Sequence, residues 1–222
     1  MNVEVDGLIA AARELKVPLA NIRQQALVLD VANAESEAIR REMVWTTDAA
    51  LRQLNDLIEL QKAQTRLELG PVAVRSACAV VWGEFTEINA RDNFAVKYRS
   101  RRPLVYSNQK CLERILYNLF YNARRINEAE CVQVMVSDAA GKLRISVRDH
   151  GPALPFKVWR EIAAGHKNTP RDIPMRPGSS GLTLYLANKF AETVGGQMGA
   201  VRHKDGTSFY VDLPVSQQAR LF

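Results

Sequence analysis

The chain has 222 residues, of which 47% are hydrophobic and 24% charged, an ordinary composition for one large or two small globular domains. No apolar run approaches the roughly 18 residues that span a bilayer, no signal peptide is evident and the three cysteines form no CxxC pattern. We therefore expect a cytoplasmic protein without a membrane segment. The net charge is +6, but the basic residues are scattered, with their densest groups at Arg99/Arg101/Arg102 and Arg124/Arg125, and we expect no nucleic-acid partner.

The first domain is expected at residues 1–67, which contain one glycine and one proline. Apolar residues recur there in steps of four and three, a heptad seam typical of a packed helix: Leu8, Ala12, Leu15, Leu19, Ile22, Ala26 and Leu29. After a polar connection, a second series follows at Val44, Thr47, Leu51, Leu54 and Ile58. Two such helices cannot bury both faces alone, so we expect two copies to pair into a four-helix bundle.

The second domain is expected at 70–222, because Leu69-Gly70-Pro71 ends the helical pattern. Its strands are predicted at 72–74, 94–99, 104–106, 131–138 and 142–149, its helices at 75–90, 109–126 and 181–194, and a final hairpin at 197–213. A loop rich in Pro, Gly, Lys and Arg is expected at about 150–180. Strands mixed with helices indicate an α+β sandwich with helices on one sheet face.

Three short segments of this domain carry candidate chemistry. Asn118 and Asn122 are four residues apart and therefore share one face of the helix at 109–126. Asp149-His150-Gly151 ends a strand of strictly alternating polarity, and Gly178-Ser179-Ser180-Gly181-Leu182 opens a helix whose N-terminal N–H groups favour phosphates. Each segment also has an ordinary structural interpretation: solvated amides, a hairpin-end turn, or a charged surface loop.

In this order and spacing the segments resemble the nucleotide-binding boxes of the ATPase fold shared by sensor histidine kinases, DNA gyrase, Hsp90 and MutL. The resemblance implies ATP and Mg²⁺ as ligands, with Asn122 holding the Mg²⁺ that bridges the phosphates. It places Arg125 at phosphate oxygens and Asp149 at the adenine amino group, where Gly151 allows close approach of the base.

The last of these boxes matches the family pattern only in part. Gly181 and Leu182 agree with it, Ser179 and Thr183 replace glycines, and Gly178 is a further candidate for nucleotide binding. In the box around Asp149, Ala153 stands in place of a second glycine. Asn118 stands where the ATP-hydrolysing branches place a glutamate as general base. This difference favours the histidine-kinase branch.

The segment Arg13-Glu14-Leu15-Lys16-Val17-Pro18-Leu19 resembles the box that carries the phosphorylated histidine in these kinases. Arg13 occupies the acceptor position, and a guanidinium has no lone pair with which to attack a phosphate. The resemblance makes Glu14 the residue that assists the attack, and Val17 cannot orient the water that dephosphorylates the regulator. Phosphorylation of residue 13 is therefore excluded chemically.

Two functions remain open from the sequence. In the first, the chain is a histidine-kinase-like signalling protein of a two-component phosphorelay, which binds Mg–ATP and phosphorylates another acceptor. In the second, it is a pseudokinase scaffold that regulates a response regulator or a partner kinase without phosphotransfer. Both functions suit a homodimer.

Overall fold

The structure is a computed structural model of the chain, and it describes residues 3–63, 67–88, 94–126, 131–163 and 181–216. The chain divides into two compact units, residues 1–66 and residues 67–222.

The first unit is a hairpin of two helices, α1 (Val3–Leu27) and α2 (Ala34–Ala63). Asn33 caps the start of α2, since its Oδ1 accepts a hydrogen bond from the Ser36 amide at 2.9 Å while Ser36 Oγ accepts one from the Asn33 amide at 3.2 Å. The two helices are joined by an ion pair between Arg23 Nε and Asp48 Oδ1. α1 continues without interruption through Pro18, which leaves the carbonyl of Glu14 without its usual helical donor.

The predicted heptad seam of α1 divides into two sets. Ala12 and Ala26 are buried, with 2% exposure each, whereas Leu15 and Ile22 are 51% and 43% exposed within a single chain. Leu29 lies just beyond the end of α1 and is also exposed. Within one hairpin, part of the seam is therefore buried, while large apolar side chains of the seam remain exposed.

The second unit contains a five-stranded sheet and a small two-stranded sheet. Its elements are β1 (Gly70–Ala73), α3 (Val74–Ile88), β2 (Phe94–Tyr98), β3 (Leu104–Ser107), α4 (Gln109–Ile126), β4 (Val132–Ala139), β5 (Lys142–Asp149), α5 (Phe156–Ala163), α6 (Leu182–Thr193), β6 (Gln197–His203) and β7 (Gly206–Pro214). The strand order is β2-β4-β5-β7-β6, and only the β2–β4 pair is parallel, while β1 pairs with β3. The predicted α+β class is confirmed.

The core of this unit lies between the sheet and its helices. Side chains of β5 alternate between half-buried and buried, as the sequence predicted, and Leu143, Ile145 and Val147 form its buried row. Helices α4 and α6 pack on each other and on this side of the sheet. Aromatic rings tie the elements together, because the Phe94 ring of β2 lies 5.2 Å from that of Phe120 in α4.

The predicted loop at 150–180 is wrong in its first half, because Phe156–Ala163 form α5. This helix is attached to the sheet edge: Trp159 Nε1 donates a hydrogen bond to the Ala200 carbonyl at 3.0 Å. Just before it, the Leu154 carbonyl accepts one from Arg202 Nε at 2.7 Å. Residues 164–180 lie outside the described part of the chain.

Candidate functional site

Helix α4 places Asn118 and Asn122 in the interior of the unit. Asn108 fixes the start of the helix, since its Oδ1 accepts hydrogen bonds from the amides of Lys110 and Cys111 at 3.1 and 3.3 Å. Asn118 is 1% exposed and Asn122 is 4% exposed. The interpretation as a surface helix with solvated amides is therefore wrong.

The two asparagines differ in their hydrogen bonding. Asn118 Nδ2 donates to the Arg114 carbonyl of its own helix at 2.9 Å. Asn122 Nδ2 is buried and has no hydrogen-bond partner among the described residues. An unsatisfied buried amide costs about 1–3 kcal/mol and is rare in a folded protein, so Asn122 is a candidate for binding a ligand.

Arg125 lies one turn beyond Asn122 and is exposed. Its Nη1 donates to Tyr121 Oη at 3.2 Å, and within the described residues it contacts no carboxylate. The guanidinium therefore keeps donors for an anion on the same side of α4 as Asn122.

Asp149 lies in the buried register of β5 and is 2% exposed. Its Oδ1 accepts hydrogen bonds from the Gly151 amide at 3.2 Å and from the Thr207 amide at 3.3 Å. The carboxylate is thus fixed by its own turn and by the neighbouring strand β7. The structure brings the predicted residues Asp149 and Gly151 into direct contact.

Gly206 and Thr207 are site residues that were not predicted, because from the sequence they are only part of the hairpin expected at 197–213. Gly206 has φ +136°, and a Cβ built on it would lie 2.1 Å from the Asp149 carbonyl oxygen. Only glycine permits this close approach of the β6–β7 turn to Asp149. The sequence shows only a glycine at the start of a strand. That this glycine lies next to Asp149 follows from the pairing of β5 with β7.

The β6–β7 turn is fastened to the outer side of the sheet by charged groups. Arg148 Nη2 lies 2.8 and 2.9 Å from the two carboxylate oxygens of Asp205. The pKa of Asp205 is lowered, first by a hydrogen bond from its own backbone and then by Arg148 and His150. Burial lowers the pKa of His203, whose Nε2 lies 2.8 Å from Ser208 Oγ.

Helix α6 begins at Gly181, which adopts a left-handed conformation with φ 68° and receives no side-chain cap. Its carbonyl accepts the first helical hydrogen bond, from the Tyr185 amide at 3.0 Å. Leu182 is half-buried and Thr183 is 5% exposed. Gly178, the remaining predicted residue of this segment, lies outside the described residues.

Helix α4, which carries the two asparagines, packs against α6. The Arg114 guanidinium lies 5.7 Å from the Phe190 ring centroid, so the first half of α4 meets the second half of α6. The N–H groups at the start of α6 favour negative charge.

The remaining predicted residues lie on the first unit. Arg13 and Glu14 are exposed on α1, and Val17 is 65% exposed. Position 13 therefore points outward, as the sequence predicted.

A mixed five-stranded sheet with helices packed on it is the architecture of the α/β-sandwich ATPase fold. The family model described as histidine kinase-, DNA gyrase B- and HSP90-like ATPase matches residues 107–217, half of the chain. The chain belongs to this family, and its second unit is an ATPase core of the sensor histidine kinase type.

Similar curated proteins are signalling kinases. The chain is 26% identical to hybrid signal transduction histidine kinase K of Dictyostelium discoideum over 95% of its own length and 19% of that protein. It is 25% identical to the adaptive-response sensory kinase SasA of Synechocystis over 94% of its length and 58% of that protein. The chain thus spans only a part of these relatives.

Solved structures share the fold. Full-length ShkA in complex with AMPPNP superposes with a TM-score of 0.65 at 22% identity, covering 95% of this chain and 46% of that one. The Acinetobacter baumannii histidine kinase AdeS superposes with a TM-score of 0.60 at 16% identity, covering 91% and 97%. Among the helices in the described ranges, none combines the length and apolar character needed to cross a bilayer.

Proposed function

We propose that the chain binds Mg–ATP in a domain at residues 70–222 and acts in a two-component phosphorelay with its own acceptor histidine replaced by Arg13. The observation that carries this proposal is the buried Asn122 side chain, whose Nδ2 has no partner among the described residues, on a helix that packs against α6. A buried amide in that position suits a ligand that supplies both charge and hydrogen bonds.

The residues present fit this ligand. Asn122 would hold Mg²⁺ through its side-chain oxygen, and Arg125 would bind phosphate oxygens with its remaining donors. Gly178, Gly181 and Leu182 would present backbone N–H groups to the phosphates at the start of α6. When bound, Mg²⁺ neutralises phosphate charge and orients the chain of phosphates.

At the other end of the nucleotide, Asp149 would accept the adenine amino group and Gly151 would allow the base to approach. Hydrogen bonds from the Gly151 and Thr207 amides already orient the Asp149 carboxylate. ShkA, one of the similar structures, was solved with AMPPNP, which supports an adenine nucleotide as the ligand.

We do not expect this chain alone to hydrolyse the nucleotide, because Asn118 occupies the position of the general base. Its Nδ2 is engaged by the Arg114 carbonyl, and an amide cannot accept a proton as a carboxylate can. ATP would therefore serve as a phosphate donor to a partner or as a ligand that changes conformation.

The hairpin at residues 1–67 would form a homodimer and contact a response regulator or a partner kinase in the cytoplasm. The open apolar side chains Leu15 and Ile22 support pairing with a second copy. The exposed Arg13 favours the alternative of a pseudokinase scaffold, because Glu14 beside it has no imidazole to activate.

A calorimetric titration with Mg–ATP tests the proposed site. The parent protein should bind, the Asn122→Ala variant should lose at least about tenfold in affinity, and the Asn188→Ala variant should not change. Asn188 is a suitable control because its amide contacts Glu192 on the surface of α6. Absence of binding by the folded parent protein at millimolar ATP would refute the proposal.

Labelled γ-phosphate separates the two functions once binding is established. Transfer of label to a histidine of a co-purified kinase or to another partner protein would favour the phosphorelay. Retained partner binding without any transfer would favour the scaffold.

A further inference from the structure

Four arginines lie in or beside the turn that connects β2 with β3, and we name them the arginine corner: Arg75, Arg99, Arg101 and Arg102. Three of them belong to the turn itself. Arg75 joins them from α3, since the Val74 amide donates to the Pro103 carbonyl at 2.9 Å and the Arg75 guanidinium lies 3.8 Å from the Tyr98 ring centroid. All four are exposed.

Three of these cations lack acidic partners. Within the described residues, Arg75, Arg99 and Arg101 form no ion pair and no side-chain hydrogen bond. Other cations of the same unit do have acidic partners: Arg144 binds both oxygens of Asp212 at 2.7 Å, and Lys189 lies 2.8 Å from Glu192. Arg75, Arg99 and Arg101 therefore concentrate positive charge that no acidic side chain in the described part of the chain compensates.

The corner lies away from Asp149, the residue proposed to bind adenine. Tyr98, the last residue of β2, is level with Val136 of β4 and therefore with Ile145 of β5. Asp149 is four residues further along β5, roughly 13 Å at the usual rise, and two strand spacings, about 10 Å, across the sheet. The corner is thus not part of the proposed adenine site.

The backbone of the turn is held in place. The amides of Arg99 and Ser100 both donate to the Val136 carbonyl, at 2.8 and 3.3 Å, and the Leu104 amide donates to the Arg102 carbonyl at 2.8 Å. The Tyr98 ring supports the Arg75 guanidinium from below. Guanidinium groups carried on a rigid backbone suit bidentate binding of carboxylates. Non-specific attraction to a broad charged surface does not require such a rigid backbone.

We propose that the arginine corner is a docking site for an acidic segment of a partner protein, read through aspartate and glutamate carboxylates. Binding to a membrane or a nucleic acid favours cations spread along an extended face, whereas these four lie in or beside a single turn. The site is independent of the nucleotide and would bind its partner in the presence or absence of ATP.

The test uses the full chain and a fluorescent peptide of about ten glutamates, chosen as a minimal acidic segment. Arg99→Glu/Arg101→Glu is compared with Arg160→Glu/Lys204→Glu, which changes the net charge equally at exposed positions on α5 and the β6–β7 turn. The corner variant should lose at least about tenfold in affinity and the control less than about threefold. If the glutamate variant fails to fold by circular dichroism, Arg99→Gln/Arg101→Gln replaces it.

Three results would overturn the proposal. Equal losses of peptide affinity in both variants would mean that only net charge matters. Absence of peptide binding by the parent protein at low salt would mean that there is no such site. The third is binding to phosphatidylcholine vesicles with about 30% phosphatidylserine that depends on the corner while peptide binding does not, which would make the corner a lipid surface. Mg–ATP titration of the same variants should remain unchanged, so a failure here is distinguishable from a failure of the nucleotide proposal.

Discussion

A substitution of Gly206 would test how closely the β6–β7 turn must approach Asp149 at the end of β5. An alanine there would meet the Asp149 carbonyl oxygen at 2.1 Å and would keep an unfavourable φ of +136°. We expect Gly206→Ala to lower the free energy of unfolding by about 2–4 kcal/mol, measured by urea denaturation. Gly141→Ala is the control, because φ is also positive but no atom lies within 4 Å, so it should cost only about 1 kcal/mol. Equal costs would contradict a role for the contact with Asp149.

Position 13 offers a gain-of-function experiment. Its side chain is exposed on α1, so the Arg13→His substitution disturbs no packing. We expect this variant to acquire label from γ-labelled ATP, as an acid-labile phosphate, because an imidazole supplies the lone pair that the guanidinium lacks. Arg13→Gln should remain unlabelled. An unlabelled Arg13→His protein that still binds Mg–ATP would show that more than the acceptor has been lost.

At the scale of elements, the β6–β7 hairpin should respond to mild acid. Burial lowers the pKa of His203 below its ordinary 6.5, with Arg148 and His150 adding to the effect and Asp205 and Asp149 opposing it. As the pH falls through 6.5, the unfolded chain gains a proton that the folded chain does not, so stability decreases. His203→Gln should reduce the difference in unfolding free energy between about pH 7.5 and about pH 5.5. If the difference in unfolding free energy were the same in the variant, other titrating groups would be responsible for the loss of stability in acid.

The strands of the sheet were predictable because each carries its own local pattern. β5 alternates polar and apolar residues, and the burial along the strand follows that alternation. Helix α5 was missed because Pro152 and Pro155 precede it and suggested a continuous loop. Its position depends on tertiary contacts such as Trp159 with the Ala200 carbonyl, which no local pattern contains.

The candidate site was predictable only to the extent that its residues lie in short segments. Asn118 and Asn122 are spaced by one helical turn, so their shared face follows from the sequence. The contact of Thr207 with Asp149 joins residues 58 positions apart, and it requires the register of β5 against β7. The difference between the engaged amide of Asn118 and the unsatisfied Nδ2 of Asn122 likewise depends on rotamers and on the surrounding core.

At the scale of the whole molecule, the open side of the α1 seam predicts self-association. Leu15 and Ile22 are seven residues apart, which places them on one stripe, and both are largely exposed within a single chain. A second copy would bury them, and in a symmetric dimer each substitution is counted twice. Burying a leucine or isoleucine stabilises by about 1.5–3 kcal/mol. We therefore expect Leu15→Glu/Ile22→Glu to raise the dimer dissociation constant at least about a hundredfold, measured by analytical ultracentrifugation.

The matched control is Val17→Glu/Val28→Glu. These valines are more exposed, at 65% and 72%, and Val17 lies on the opposite side of α1 from the stripe. The control should remain dimeric although it carries the same added charge. Since the second unit has its own core, the Leu15→Glu/Ile22→Glu protein should still bind Mg–ATP with the affinity of the parent protein. A parent protein that sediments as a monomer, or a seam variant that remains dimeric, would mean that the apolar stripe contacts something other than a second copy.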